Sequence, residues 1–122
     1  LAIAFFGALG SLCRYFLSQW AQRSSLTPYV GGTFLVNVLG CLLMGMLFGY
    51  FHQRLTTPLW LKAGLTVGFL GSFTTFSTYI LEFHLHWQKH PSLALMTLLG
   101  QAVLGWAAVL LGLWLSGTPS AS

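Results

Sequence analysis

"GSFTTFSTY", residues 71–79, decides how this chain is read. Five of its nine residues, Ser72, Thr74, Thr75, Ser77 and Thr78, carry an aliphatic hydroxyl. The cluster sits inside an apolar run that is uncharged from 63 to 81. Hydrocarbon offers no water to such groups, and non-helical backbone survives at membrane depth only where protein buries it or water reaches it. Gly68, Gly71 and Ser72 weaken a continuous helix, and Ser and Thr side chains compete for backbone partners. One reading of "GFLGSFTT" is therefore a break in a membrane helix, flanked by Gly71 and Thr74. The competing reading is an unbroken helix whose hydroxyls bond back to carbonyls one turn earlier. A break frees carbonyls, and facing carbonyls hold a small desolvated cation.

Beyond the break, "FSTY" is expected to be helical. At about 100° per residue, Phe76, Tyr79 and Phe83 share one face, while Thr74, Ser77 and Thr78 gather on the other. Such an aromatic stripe commonly serves packing. Its rings also have positive edges, and ring edges beside hydroxyl and amide donors suit a small, strongly hydrated anion. They replace its water without a full positive charge that would trap it.

Other polar residues fall in the neighbouring apolar runs. Asn37, in "GGTFLVNVLG", has Thr33 one turn earlier on the same face. Polar groups at this depth are functional candidates, and an interhelical hydrogen bond is the alternative. Thr97 and Gln101 lie one turn apart in the fourth run and extend a donor line or simply pack. Arg14, roughly 20 Å along the first helix, would concentrate anions at a water-filled mouth or snorkel. Glu82 is the sole acid and reads as a partner for a cation. In "EFHLHWQKH", Glu82, His86 and His90 have helical spacing for a metal, but hydrated anchors at a helix end explain them more simply.

The whole chain agrees with a membrane setting. Its 122 residues are 56% hydrophobic and 5% charged, against about 25% charged in soluble domains. One membrane domain, 1–122, is expected, with helices near 1–21, 31–51, 59–87 and 92–116. The separators "AQRSSLTP", "HQRLTTP" and "QKHP" each end in proline, a helix-start signal. The tail "SGTPSAS" reads as frayed. The first run lacks a basic start and a cleavage site, so it is kept as a helix; the chain opens on Leu1 rather than Met, and native residues are expected upstream. Continuous rather than alternating apolar runs argue against a barrel. Gly45/Gly49 and Gly64/Gly68 have the small-xxx-small spacing of close helix contacts. Cys13 and Cys41 read as small packing residues. The net charge of +4 is spread thinly, which reads as membrane-end anchoring rather than nucleic-acid binding. Arg54 and Lys62 on one side roughly balance Arg23 and Lys89 on the other. A chain without a positive-inside bias inserts both ways, which permits an antiparallel dimer.

Taken together, "GFLGSFTTFSTY", "GGTFLVNVLG" and "GALGSLCRY" resemble the Fluc/CrcB family of fluoride channels over essentially the whole chain. The resemblance implies an all-α integral membrane protein with four transmembrane helices, the third broken near its middle. It implies an antiparallel, dual-topology homodimer in a prokaryotic plasma or inner membrane, with two fluoride pores. Asn37, Phe76 and Tyr79 would line the path, and Thr75, Ser77 and Thr78 would supply hydroxyls. The carbonyls of Gly71 and Thr74 would hold a structural sodium ion at the dimer centre, and Arg14 would face the vestibule. Three features depart from the family pattern: Tyr79 replaces a usual Phe, Ser72 replaces the second glycine of a pair, and the fourth helix lacks the expected tyrosine and serine.

The implied function is a passive, fluoride-selective channel that lowers cytoplasmic fluoride. The alternative is a small proton-coupled multidrug exporter, also a four-helix dimer. That reading wants a carboxylate in the first helix, where there is none. A structural subunit without transport is a third reading. An enzyme is disfavoured because no nucleophile, base and orienting group converge.

Overall fold

The computed structural model describes residues 1–24 and 31–117. Among them every regular element is helical. The order is α1 (Ala2–Ser24), α2 (Gly32–Gln53), α3 (Leu59–Ala63), a π-helical stretch (Gly64–Leu70), α4 (Gly71–Phe73), α5 (Ser77–Trp87) and α6 (Pro91–Leu115). The elements from α3 to α5 form one interrupted stack, so the chain makes four helical passes. Three segments, Gly32–Gln53, Leu59–Trp87 and Pro91–Leu115, are long and apolar enough to cross a membrane. At about 1.5 Å per residue, α1 is long enough as well, but Arg14, Ser18, Gln19, Gln22 and Arg23 lower its apolarity.

Sequence signals explain several boundaries. Pro58 directly precedes α3 in an extended conformation, and Pro91 opens α6, where its missing N–H costs nothing. The first separator's proline, Pro28, and most of the tail lie outside the described residues. Gly117 closes α6 at φ +80°, the left-handed position a glycine C-cap provides.

Close backbone approach organises the packing. A Cβ on Gly45 would lie 2.3 Å from the Val109 carbonyl oxygen, and one on Gly112 would lie 2.3 Å from that of Leu42. These two glycines let α2 and α6 meet backbone to backbone. The π-helical stretch seats on α1 in the same way: a Cβ on Gly10 would be 2.2 Å from the Phe69 oxygen, and one on Gly68 would be 2.8 Å from that of Ile3. Gly64 faces the Phe6 ring. Within this stretch the Gly71 amide reaches back to the Thr66 carbonyl, while the Thr66 hydroxyl caps the Lys62 carbonyl at 2.7 Å. π-turns of this kind concentrate at functional sites. The buried core is small: Val36, Leu70 and Phe73, flanked by Leu17, Leu39, Leu43, Leu47 and Phe69. Large apolar side chains cover the outside, and Trp20, Trp60, Trp87 and Trp114 are exposed near helix ends, as in interfacial aromatic belts.

The break falls later than the glycines indicate. Gly71 to Phe73 remain helical, and residues 74–76 are the non-helical segment, with Thr74 extended at φ −91°, ψ 158°. Thr74 does bond back, its hydroxyl reaching the Leu70 carbonyl at 2.9 Å, yet the helix still ends there. Back-bonding and breakage thus coexist at one residue.

Gly112→Ala should lower stability by about 1–3 kcal/mol, because its methyl group meets backbone that cannot rotate away. Gly100, with nothing within 4 Å of an added Cβ, is the control: Gly100→Ala should be neutral or stabilising by up to about 1 kcal/mol. Thermal unfolding of both variants in detergent checks the contrast.

Candidate functional site

The interruption at 74–76 is held from α2. Thr75 donates its amide to Asn37 Oδ1 at 2.8 Å, and Asn37 Nδ2 donates to the Thr75 carbonyl at 2.8 Å. One carboxamide thus satisfies both backbone groups of Thr75, as a neighbouring strand would. Asn37 Nδ2 also donates to Gln101 Oε1 on α6 at 2.5 Å. Asn37 therefore ties three passes together, and both its N–H groups are committed. Gly40 makes room for this: a Cβ there would lie 2.2 Å from Thr74 Cγ2.

The clamp changes the fate of the preceding carbonyls. In a continuing helix the Thr75 amide would go to the Gly71 carbonyl; here it goes to Asn37. Among the described residues, no backbone amide is donated to the carbonyls of Gly71, Ser72 or Thr74. Gly71 is exposed, and an added Cβ would meet only the Thr66 oxygen, at 3.8 Å. Unpaired oxygens from a helix break match the donor chemistry of a hard cation such as sodium.

These residues surround a cavity of about 440 Å³ lined by Asn37, Gly71, Thr74, Thr75, Phe76, Tyr79 and Gln101 on one side. Gly40, Cys41, Met44, Gly105, Trp106 and Val109 close its apolar wall. A second cavity, of about 10 Å³, is lined by Phe34, Tyr79, Glu82, Phe83, His86, Thr97, Leu98 and Gln101. The aromatic stripe follows both: Phe76 faces the larger, Phe83 the smaller, and Tyr79 lines each. The Phe76 and Tyr79 rings meet edge to face, 6.0 Å apart at 66°. The Tyr79 phenol donates to the Leu98 carbonyl, which anchors the ring to α6.

Of the pore residues read from the sequence, Asn37, Thr75, Phe76 and Tyr79 converge on the larger cavity, together with Gly71 and Thr74. Ser77 and Thr78 are exposed in the first turn of α5 and line neither cavity. The Thr78 amide donates to Thr75 Oγ1, and the Thr75 hydroxyl donates to Thr78 Oγ1, both over a long 3.4 Å. Arg14 is half-buried on α1 and also lines neither. Glu82 accepts a 2.8 Å hydrogen bond from Thr33, so the Thr33 hydroxyl serves the carboxylate rather than Asn37. Among the described residues no group of three or more His, Cys, Asp and Glu is arranged to hold a metal ion, Glu82, His86 and His90 included. The α6 wall, with Gly105, Trp106 and Val109, had no polar signal in the sequence to single it out.

A family profile described as "CrcB-like protein, Camphor Resistance (CrcB)" matches residues 1–113. A protein of Maridesulfovibrio salexigens named "Fluoride-specific ion channel FluC" is 42% identical over 114 residues, covering 93% of this chain and 90% of its own. Proteins of the same name from Solidesulfovibrio magneticus and Magnetococcus marinus are 41% and 43% identical over 112 residues, covering 91% of this chain and about nine-tenths of theirs.

Asn37→Leu removes both partners of Thr75 and should destabilise the protein by on the order of 2–4 kcal/mol. Hydrogen exchange at the Thr75 amide should accelerate in parallel. Unchanged melting and unchanged protection at Thr75 would show that the clamp does not hold the break.

Proposed function

The chain belongs to the CrcB-like family, and on that premise we propose that it is a fluoride-selective passive channel, working as an antiparallel homodimer with a structural sodium ion at its centre. It is a multi-pass membrane protein of an ion-channel family rather than an enzyme. Passive flow down the fluoride gradient would lower the cytoplasmic concentration, with the protein seated in a prokaryotic plasma or inner membrane.

The observation that carries this reading is the convergence of Asn37, Thr75, Phe76 and Tyr79 on one cavity beside the unpaired carbonyls of the break. Dehydrating fluoride is costly, and what replaces its water must be weak enough to release it. Aromatic edges and neutral donors meet both demands. The Tyr79 phenol, bonded to Leu98, fixes the ring without turning its hydroxyl into the path. Tyrosine therefore keeps the ring edge available where the family usually has Phe. Ser77 and Thr78, exposed at the start of α5, offer hydroxyls at the approach, and Arg14 raises the local anion concentration at the vestibule.

The same cavity supports dimerisation. It is open at a depth where lipid cannot satisfy carbonyl oxygens, so protein must cover it. A second copy brings its own Gly71 and Thr74 carbonyls, and like acceptors face each other stably only with a cation between them. Sodium, when bound, supplies that charge. The carbonyls of Gly71 and Thr74 hold it, and the Asn37 clamp keeps them free of the helix ladder.

In liposomes containing the purified protein, fluoride should leave rapidly and chloride should stay trapped. Verified insertion without fluoride efflux would refute the channel reading. Replacing sodium by a large organic cation during purification should abolish flux and weaken the dimer; unaffected flux would refute the sodium assignment alone.

A further inference from the structure

Thr74 is held at both ends of its side chain. Its hydroxyl donates to the Leu70 carbonyl at 2.9 Å, beside its own amide at 3.1 Å. Its Cγ2 methyl group fills the notch that Gly40 leaves on α2: a Cβ on Gly40 would overlap that methyl group and reach Phe73 Cδ1 at 3.4 Å. A β-branched side chain is stiff about χ1, so these two contacts fix its rotamer. The peptide that follows is fixed as well. Asn37, three residues before Gly40 on the same helix face, accepts the Thr75 amide at 2.8 Å. That amide and the Thr74 carbonyl belong to one planar trans peptide, so they point in opposite directions. Holding the N–H on Asn37 therefore aims the Thr74 carbonyl away from Asn37.

We propose that Gly40 is a positioning residue for the sodium site: its missing Cβ seats the Thr74 methyl group, and that seat holds the Thr74 carbonyl in place for the cation. The inference rests on the sodium assignment proposed above and names the residue of α2 that sets it. The two contacts from α2 divide the work. Asn37 fixes the direction of the carbonyl, and Gly40 fixes the position of the residue that carries it. Cation sites built from oxygens discriminate by the spacing and rigidity of those oxygens. A notch filled by a single methyl group passes any displacement of Thr74 on to its carbonyl.

Moving the methyl group from one side of this contact to the other tests the seat. Gly40→Ala adds a methyl group against Thr74. Thr74→Ser removes the one it meets and keeps the hydroxyl. The double variant has a single methyl group again, on the opposite side. Each purified protein is exchanged from sodium into a large organic cation. Its melting temperature is then followed as sodium is restored, which gives a sodium dissociation constant. Gly40→Ala should weaken sodium binding about tenfold and Thr74→Ser about fivefold, while the double variant returns to within about twofold of the parent. Gly112→Ala, overpacked against Leu42 and Gly45 instead, should melt lower with the parental sodium constant. Gly40→Ala binding sodium within about twofold of the parent overturns this inference alone, as does a double variant as weak as Gly40→Ala. If Gly40→Ala fails to fold, the double variant decides: folding with parental sodium binding upholds the seat, and failure to fold or weakened binding overturns it. A parent whose melting does not respond to sodium overturns the sodium assignment and this inference together, and leaves the channel reading to the efflux measurement.

Discussion

The structure depends on where one backbone hydrogen goes. The Thr75 amide has two claimants: the Gly71 carbonyl, which would continue the helix, and Asn37 Oδ1, which ends it. Asn37 wins because it returns a second bond to the Thr75 carbonyl at 2.8 Å. In hydrocarbon each unsatisfied backbone group costs several kcal/mol, so a carboxamide that satisfies both sides of one residue makes a break tolerable at that depth. Everything around the site follows from this exchange. The carbonyls of Gly71, Ser72 and Thr74 are released, α5 restarts at Ser77, and Phe76 and Tyr79 turn toward the cavity.

Much of this was legible in the residues. Continuous apolar runs gave the helical class, and Pro58 and Pro91 marked helix starts where α3 and α6 begin. Gly45 and Gly68 proved to be backbone contact points between helices, and Gly64 the seat of the Phe6 ring, because a Cβ there would collide. The position of the break was less legible. Glycine propensity points to 68–72, but tertiary packing holds those residues helical against α1, and the chain opens where Asn37 can reach it. That partner lies 38 residues away, and local propensity cannot register so distant a hydrogen bond. For the same reason Asn37 reads in isolation as either a functional polar group or an interhelical hydrogen bond, and its bonds to Thr75 and Gln101 appear only in the fold. Gln101 stood out only, with Thr97, as a polar residue one turn along α6; its bond to Asn37 becomes visible when all its neighbours are in place.

The arrangement separates two tasks that a desolvated site must perform together. Oxygen acceptors gather at the end of α4, and aromatic rings with the Gln101 carboxamide gather at the start of α5 and on α6. The non-helical residues 74–76 lie between the two sets. Tyr79 illustrates how such a site absorbs a polar atom. Its phenol is satisfied by the Leu98 carbonyl, so the ring presents its edge while the hydroxyl stays in the scaffold. Gly40 and the glycines of α2 and α6 supply the room, since these polar contacts require backbones closer than ordinary side chains allow.

The central claim is that the Thr75 amide is donated to Asn37, leaving the Gly71 and Thr74 carbonyls for a cation. The most direct measurement is a high-resolution structure of the lipid-reconstituted protein in sodium fluoride. The account predicts an interruption at residues 74–76, Asn37 bonded to both backbone groups of Thr75, and an ion between facing copies of the Gly71 and Thr74 carbonyls. A continuous helix through these residues, with the Thr75 amide on the Gly71 carbonyl, would contradict it.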